Sequence, residues 1–411
     1  MSRKLLTQLS ADVQDGIVRL SAYKSTPAFD GKKTEYFQYI RIYRKEEPDF
    51  IFGEDYAEYF DDISWRDANL IFEGPLTAEN NRKFTYADND VKIGMTYSYW
   101  MAADSTIPSG PVAVKIRDPE VWWSEARIKK EISELQNMYP DMVRTECIGK
   151  SVKGKDILAV KVGNASANIG LLGAVHAGES GAELMLPAIK RILSEHKELL
   201  SHVGIAAIPV LNIDERERLA GGNPWYLRTN ANGVDLNRNL PVDWENIGYG
   251  YGLNTSEPGS MTYRGPSPTS EPETRAAMKF FTDSRICTLF SFHCLASICG
   301  MSFLASACAK DDADYVNSCR ELAGIYCMEM APGMDIPAEQ IVSLGCSEGS
   351  WPAWCYKSLG VPAFDIEISW KFEPDALALC RVDKTDRPLI RQYQQKHFDG
   401  LVAVLKKLAN R

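Results

Sequence analysis

Five histidines occur among the 411 residues, and their surroundings separate them. His176 and His293 each close an apolar run of β-type residues, LLGAVHAGE and LFSFHC. The C-terminal end of a strand is where open α/β sheets present their sites. His196 and His202 stand among Glu, Lys and Ser, as expected of surface positions, and His397 lies in the charged closing helix. Glu179 follows His176 by three residues. On a tight turn entering a helix, positions i and i+3 point the same way. An imidazole and a carboxylate so placed can grip one metal ion, with the distant His293 as a third ligand. Two histidines, one glutamate and an open water position form the ligand set of a catalytic zinc site. H-x-x-E alone is equally a satisfied histidine beside a helix N-terminal glutamate, so its surroundings must decide.

Two regimes of composition surround these residues. Residues 1–118 are rich in Tyr, Phe, Ile and Thr, in short runs broken by turn residues. The stretches 36–44 (YFQYIRIYR), 96–102 (TYSYWMA) and 112–116 (VAVKI) alternate bulky and polar side chains, the mark of half-buried strands. An all-β sandwich is expected there. Residues 92–116 resemble the closing strands of a fibronectin type III module. From residue 119 to 411 short apolar runs (157–162, 169–175, 204–211, 286–293, 361–368) alternate with helical patterns (124–138, 183–194, 271–282, 313–328, 388–408). Such alternation predicts an α/β domain with a mixed central sheet flanked by helices. Ser124 is the expected N-cap of the first helix. The acidic stretch 55–63 reads as a solvated loop face.

With 45% hydrophobic and 25% charged residues, the composition excludes disorder and collagen. A net charge of −9 argues against a nucleic-acid partner. No 18-residue apolar stretch is present, so no membrane-spanning helix is expected. The first residues lack a signal-peptide apolar core and cleavage site, which points to the cytoplasm. Ten cysteines form no C-x-x-C pair and are expected as buried free thiols of a reducing compartment.

Across most of 124–411 the chain resembles the zinc carboxypeptidase A family. Six segments carry the likeness in order: HAGE at 176–179 with the helix after it, VLNIDERE at 210–217, LRTNANGVDLNRN at 227–239, YRGPSPTSEPET at 263–274, SFHC at 291–294, and EGSWPAWCYKSLGVPAFDIEI at 348–368. The resemblance implies one Zn²⁺ per chain held by His176, Glu179 and His293. It implies Arg228 as the group that polarises the scissile carbonyl, Asn237 and Arg238 as binders of a substrate carboxylate, and Glu367 as general base and acid. The implied reaction is amide hydrolysis of a peptide substrate, releasing C-terminal residues.

The family pattern is broken at several places. No tyrosine occurs between Tyr326 and Tyr356, where the family usually has one that caps the terminal carboxylate. Gly178 stands where an arginine is sometimes found, Cys294 and Leu295 replace Ser-Tyr, and Ala353 and Trp354 replace Asp-Trp. These departures surround the substrate's end group. Asp365, two residues before Glu367 on one face of a strand, would favour a basic or amine-bearing side chain; it could instead pair with a protein cation or shift Glu367. Two further readings therefore accompany the carboxypeptidase. One is an enzyme cutting γ-D-glutamyl–diamino-acid bonds of cell-wall peptides. The other is a silent binding protein that keeps the fold. No pro-segment is legible, so activity without proteolytic maturation is expected.

Overall fold

The computed structural model describes residues 6–24, 38–47, 63–77, 83–104, 107–250, 252–293, 302–330, 341–367 and 387–410. Contacts divide the chain into two units, residues 1–119 with 218–225, and residues 120–217 with 226–411. The acidic stretch expected as a loop lies almost wholly outside the described residues.

Among the described residues the first unit holds seven strands: β1 (Leu6–Gln14), β2 (Ile17–Lys24), β3 (Tyr39–Glu47), β4 (Asn69–Pro75), β5 (Lys83–Asp88), β6 (Thr96–Ala103) and β7 (Ser109–Lys115). They form two antiparallel sheets, β1-β2-β5 and β4-β3-β6-β7. Val18 and Leu20 of one sheet share a core with Ile40, Ile42, Tyr97, Tyr99 and Met101 of the other. Alternation in β3 explains this, since Ile40 and Ile42 turn inward while Arg41 and Tyr43 do not.

The second unit starts with α1 (Glu125–Met138), whose N-cap Ser124 accepts a hydrogen bond from Arg127 N as expected. Then follow β8 (Val143–Lys150), β9 (Asp156–Val162), β10 (Asn168–Gly173), α2 (Ala182–Glu195), β11 (Gly204–Ile208), α3 (Ile213–Ala220, whose last turn belongs to the first unit), the short pair β12 (Tyr249–Gly250) and β13 (Leu253–Asn254), and α4 (Pro272–Asp283). The remainder is β14 (Ile286–Phe292), β15 (Ser302–Ser306), α5 (Ala313–Met330), β16 (Val342–Cys346), the single turn α6 (Trp351–Trp354), β17 (Ala363–Glu367) and α7 (Arg387–Ala409). Eight strands form the expected mixed sheet, in the order β16-β15-β17-β14-β10-β11-β9-β8. β10, β14 and β17 are parallel neighbours, with Gly173 opposite Phe292 and Phe292 opposite Ile366. That register brings His293 and Glu367 out of the sheet beside each other and close to the turn that starts at Ala174. Leu172, Ile208, Leu289, Phe281 and Trp351 pack as a core beneath this edge.

The reading of the cysteines needs correction, and the burial of His397 was not legible in the sequence. His397 is buried in α7, its Nδ1 2.8 Å from the Tyr326 hydroxyl, because charged neighbours on a helix do not reveal which face it turns inward. Cys147 is exposed, and Cys287 and Cys308 are half-buried, so the thiols are not uniformly interior. All seven described cysteines are free; Cys294, Cys299 and Cys380 lie outside the described residues.

His397 gives a pH test of the fold. Burial, reinforced by the Lys396 ammonium, pushes its pKa down from 6.5 to about 3. Between those values the unfolded chain binds the extra proton, so this contribution is complete above about pH 6.5 and is lost as pH falls toward 3. Its slope is about 1.4 kcal/mol per pH unit. Urea unfolding between pH 6 and 4 should show that slope diminished in His397→Gln; an unchanged slope would remove the assignment.

Candidate metal centre

The turn 174–181 is built to hold its side chains still. Leu211 N donates to Gly173 O at 2.9 Å and Asn212 N to Ala174 O at 3.1 Å, tying the turn to the segment after β11. Arg216 of α3, fully buried, donates to Ala177 O at 3.0 Å and Glu179 O at 2.8 Å and pairs with Glu183 at 2.9 Å. Ser180 N donates to His293 O at 3.0 Å, joining the two ligand-bearing segments directly.

His176, Glu179 and His293 are all buried, and their ligand atoms lie within 4.8 Å of one another. Glu179 Oε2 is 2.9 Å from His176 Nδ1 and 2.8 Å from His293 Nδ1. The opposite nitrogens are held from behind. His176 Nε2 meets Asp235 Oδ1 at 3.0 Å. His293 Nε2 lies 3.2 Å from Asp365 Oδ1 and 3.1 Å from Ser291 Oγ. Asp235 behind His176, and Ser291 with the nearby Asp365 carboxylate behind His293, are the kind of outer partner that orients an imidazole and makes its other nitrogen a better metal donor. Glu179 Oε1 accepts from the Tyr226 hydroxyl at 2.6 Å, leaving Oε2 toward the histidines. Two imidazoles and one carboxylate, each oriented from outside, fit Zn²⁺.

Burial opposes charge on Glu179, but the two imidazoles outweigh it and hold its carboxyl well below the usual range. Burial also opposes charge on His293, and the Asp365 and Glu179 carboxylates overcome it, raising the imidazole's pKa well above normal. Asp235 is held far below the carboxylate range by Arg228 and His176 in spite of its burial. Glu367 shifts the other way. Burial raises its pKa, the Glu179 and Asp365 carboxylates add to the rise, and His293 and Arg228 oppose it. A carboxylate with a raised pKa is a better proton acceptor, as general-base work requires.

Arg228 is buried beside the same centre. Its Nε donates to Asp235 Oδ2 at 3.0 Å, its Nη2 pairs with that oxygen at 2.8 Å, and its Nη1 lies 3.4 Å from His176 Nδ1. Arg238 is half-buried; its Nη1 donates to Asn237 O at 2.7 Å, and its buried Nε has no hydrogen-bond partner among the described residues.

Asn237 and Asp365 are both engaged with protein groups. Asn237 donates its amide to Asp365 Oδ2 at 2.7 Å and accepts from Trp351 N at 3.0 Å, so both ends of the side chain are engaged internally. Asp365 is buried, with one oxygen facing His293 and the other receiving Asn237 and, at 3.2 Å, the Cys346 thiol. The reason is register: Asp365 pairs with Ser291, two residues before His293, so its carboxylate reaches the imidazole first. Of the alternatives weighed for it, pairing with a protein group is the one that the geometry supports.

Sequence reasoning assigned no role to Asp235, Tyr226 or Arg216. Asp235 had a signal, a lone carboxylate inside GVDLNRN, and a zinc-bound histidine calls for such a partner. Tyr226 and Arg216 had none, because their contacts depend on how the turn at Gly178 packs.

The zinc carboxypeptidase family model matches residues 128–379. The chain belongs to this family. Mouse "Carboxypeptidase A6" is 28% identical over 277 residues, which cover 61% of this chain and 60% of the mouse protein, so the match leaves about two fifths of each outside it. A "Metallocarboxypeptidase A-like protein" of Trichophyton verrucosum is 31% identical over 166 residues, 37% of this chain and 38% of that protein. Among solved structures, bovine thrombin-activatable fibrinolysis inhibitor superposes with a TM-score of 0.58 at 20% identity, covering 71% of this chain and 98% of that one. Carboxypeptidase A from Helicoverpa armigera gives 0.56 at 17% identity, covering 72% and 75%. At these identities the two structures show a shared fold. Among the described residues no helix is long and apolar enough to cross a membrane.

Proposed function

We propose that this protein is a zinc-dependent peptidase that releases C-terminal residues from peptides. The observation carrying this reading is the convergence of three buried ligand atoms just beyond β10 and β14, beside Glu367 at the end of β17 and Arg228 in the segment after α3. His176, Glu179 and His293 would hold zinc, which would supply the Lewis acidity that lowers a water molecule's pKa to roughly 7. Glu367 accepts the proton of that water on its carboxylate. The same carboxyl group then delivers it to the nitrogen of the departing amine. Arg228, locked by Asp235, presents its guanidinium to the oxyanion that develops on the scissile carbonyl, a contribution of roughly 3–4 kcal/mol for a preorganised donor. Arg238 receives the terminal carboxylate of the substrate, the task for which its unpartnered Nε is available. The engagement of Asn237 leaves Arg238 the principal anchor among the residues the family likeness implies.

The diamino-acid preference loses its main support, since Asp365 is turned to His293. The seven free thiols favour a reducing compartment, which supports a cytoplasmic location.

Product analysis by mass spectrometry tests the reading. Zinc-loaded protein is incubated with peptides of varied C-terminal residue and, separately, with diaminopimelate-containing wall peptides. Loss of single C-terminal residues from the first pool is the expected result. Cleavage confined to the second would replace it with the wall-peptide reading. Turnover of neither by fully loaded protein would leave a silent binding protein.

A further inference from the structure

We propose that Tyr226 is a positioning residue for the metal ligand Glu179, and that Gly178 is glycine because the Tyr226 ring occupies the space a side chain there would need. The inference rests on the zinc reading and adds a residue to it.

The two oxygens of Glu179 face different partners. Oε2 lies between the Nδ1 atoms of His176 and His293, at 2.9 and 2.8 Å. Oε1 accepts the Tyr226 hydroxyl at 2.6 Å, a short contact of the kind made by an O–H donor to an ionised acceptor. A carboxylate can bind zinc through one oxygen or both. A phenol fixed on Oε1 holds that oxygen at the Tyr226 ring and leaves Oε2 toward the two imidazoles. The Glu179 carboxylate is thus kept in one orientation, with Oε2 beside the two Nδ1 atoms that would share a zinc ion with it.

The hydroxyl reaches Oε1 only because the ring lies against Gly178. A Cβ on Gly178 would overlap the Tyr226 ring at its Cδ2 and Cε2. Gly178 N donates to Leu227 O at 3.0 Å, so the ligand turn and the segment carrying Tyr226 are also tied through the backbone. The requirement at 178 is therefore steric, and it is coupled to residue 226.

Zinc affinity measured by chelator competition, with the visible spectrum of the cobalt-substituted protein, tests this without reference to turnover. Tyr226→Phe keeps the ring and removes the hydroxyl. It is expected to weaken zinc binding by about 10–100-fold, to change the cobalt bands, and to leave the melting temperature of the metal-free protein unchanged. Gly178→Ala should weaken zinc similarly with the hydroxyl intact, because the ring is displaced. In a Tyr226→Ala background the same Gly178→Ala change should cost no more, the non-additivity expected of touching residues. Wild-type zinc affinity and cobalt spectrum in Tyr226→Phe would overturn the inference. A wild-type protein that binds no zinc would instead overturn the reading beneath it.

Discussion

Glu367→Gln is expected to lower kcat by about 10²–10⁴-fold, the range for loss of a positioned acid–base group, while zinc content and thermal stability stay at wild-type values. Glu367 ends β17, one position after the pairing of Ile366 with Phe292, and so leaves the sheet beside His293. Its pKa is raised by burial first, then by Glu179 and Asp365. The amide keeps the shape and relieves that charge crowding, so the fold has no reason to weaken. What the amide lacks is a basic oxygen able to hold a proton between its removal from water and its delivery to the amine. Glu367 is not among the three converging ligands, so metal loading should not change. Turnover on the peptide cleaved by wild type, with zinc measured on the same sample, decides the matter. A loss below tenfold would assign the proton transfer elsewhere. A loss accompanied by missing zinc would make Glu367 a metal-site residue.

The ligands were legible in the sequence because each stands at the end of an apolar run, and the physics of a half-buried strand ends such runs at the sheet edge. His176, three residues beyond β10, and His293, one beyond β14, obey that rule. Which strands lie side by side is set by long-range parallel pairing, and no local pattern records it. Asp365 shows the consequence. Its two-residue spacing from Glu367 is visible in the sequence, but the imidazole one strand away decides where its carboxylate goes. Asn237 follows from Asp365, since the amide is captured by a carboxylate 128 residues distant. β8 was missed because its exposed pattern lacks an apolar face until it pairs with β9. The burial of His397 was illegible for the same reason, its neighbours along the helix being charged while its neighbours in space are Tyr326, Phe292 and Tyr393.

Asp235→Ala is expected to damage the fold and the metal site together, and the two effects can be separated. The carboxylate is fully buried and serves two cationic or polarised partners, Oδ1 facing His176 Nε2 at 3.0 Å and Oδ2 taking Arg228 at 3.0 and 2.8 Å. Oδ1 also accepts Asn237 N at 2.9 Å. Removing one member of a buried ion pair strands the other, at a cost of about 3–5 kcal/mol. Freeing the histidine's outer nitrogen costs about 10–100-fold in metal affinity. Denaturant unfolding of metal-free protein reads the first quantity and zinc competition reads the second. Asp235→Asn discriminates further. Its carbonyl can still accept from His176, so zinc affinity should recover in part, while its NH₂ faces the Arg228 guanidinium and the stability loss should persist. If Asp235→Ala lost stability but bound zinc as wild type does, Asp235 would serve Arg228 alone, and His176 would owe its orientation to the turn built by Arg216. If zinc affinity fell with stability intact, another partner would hold Arg228, and its proposed role toward the scissile carbonyl would no longer follow from Asp235.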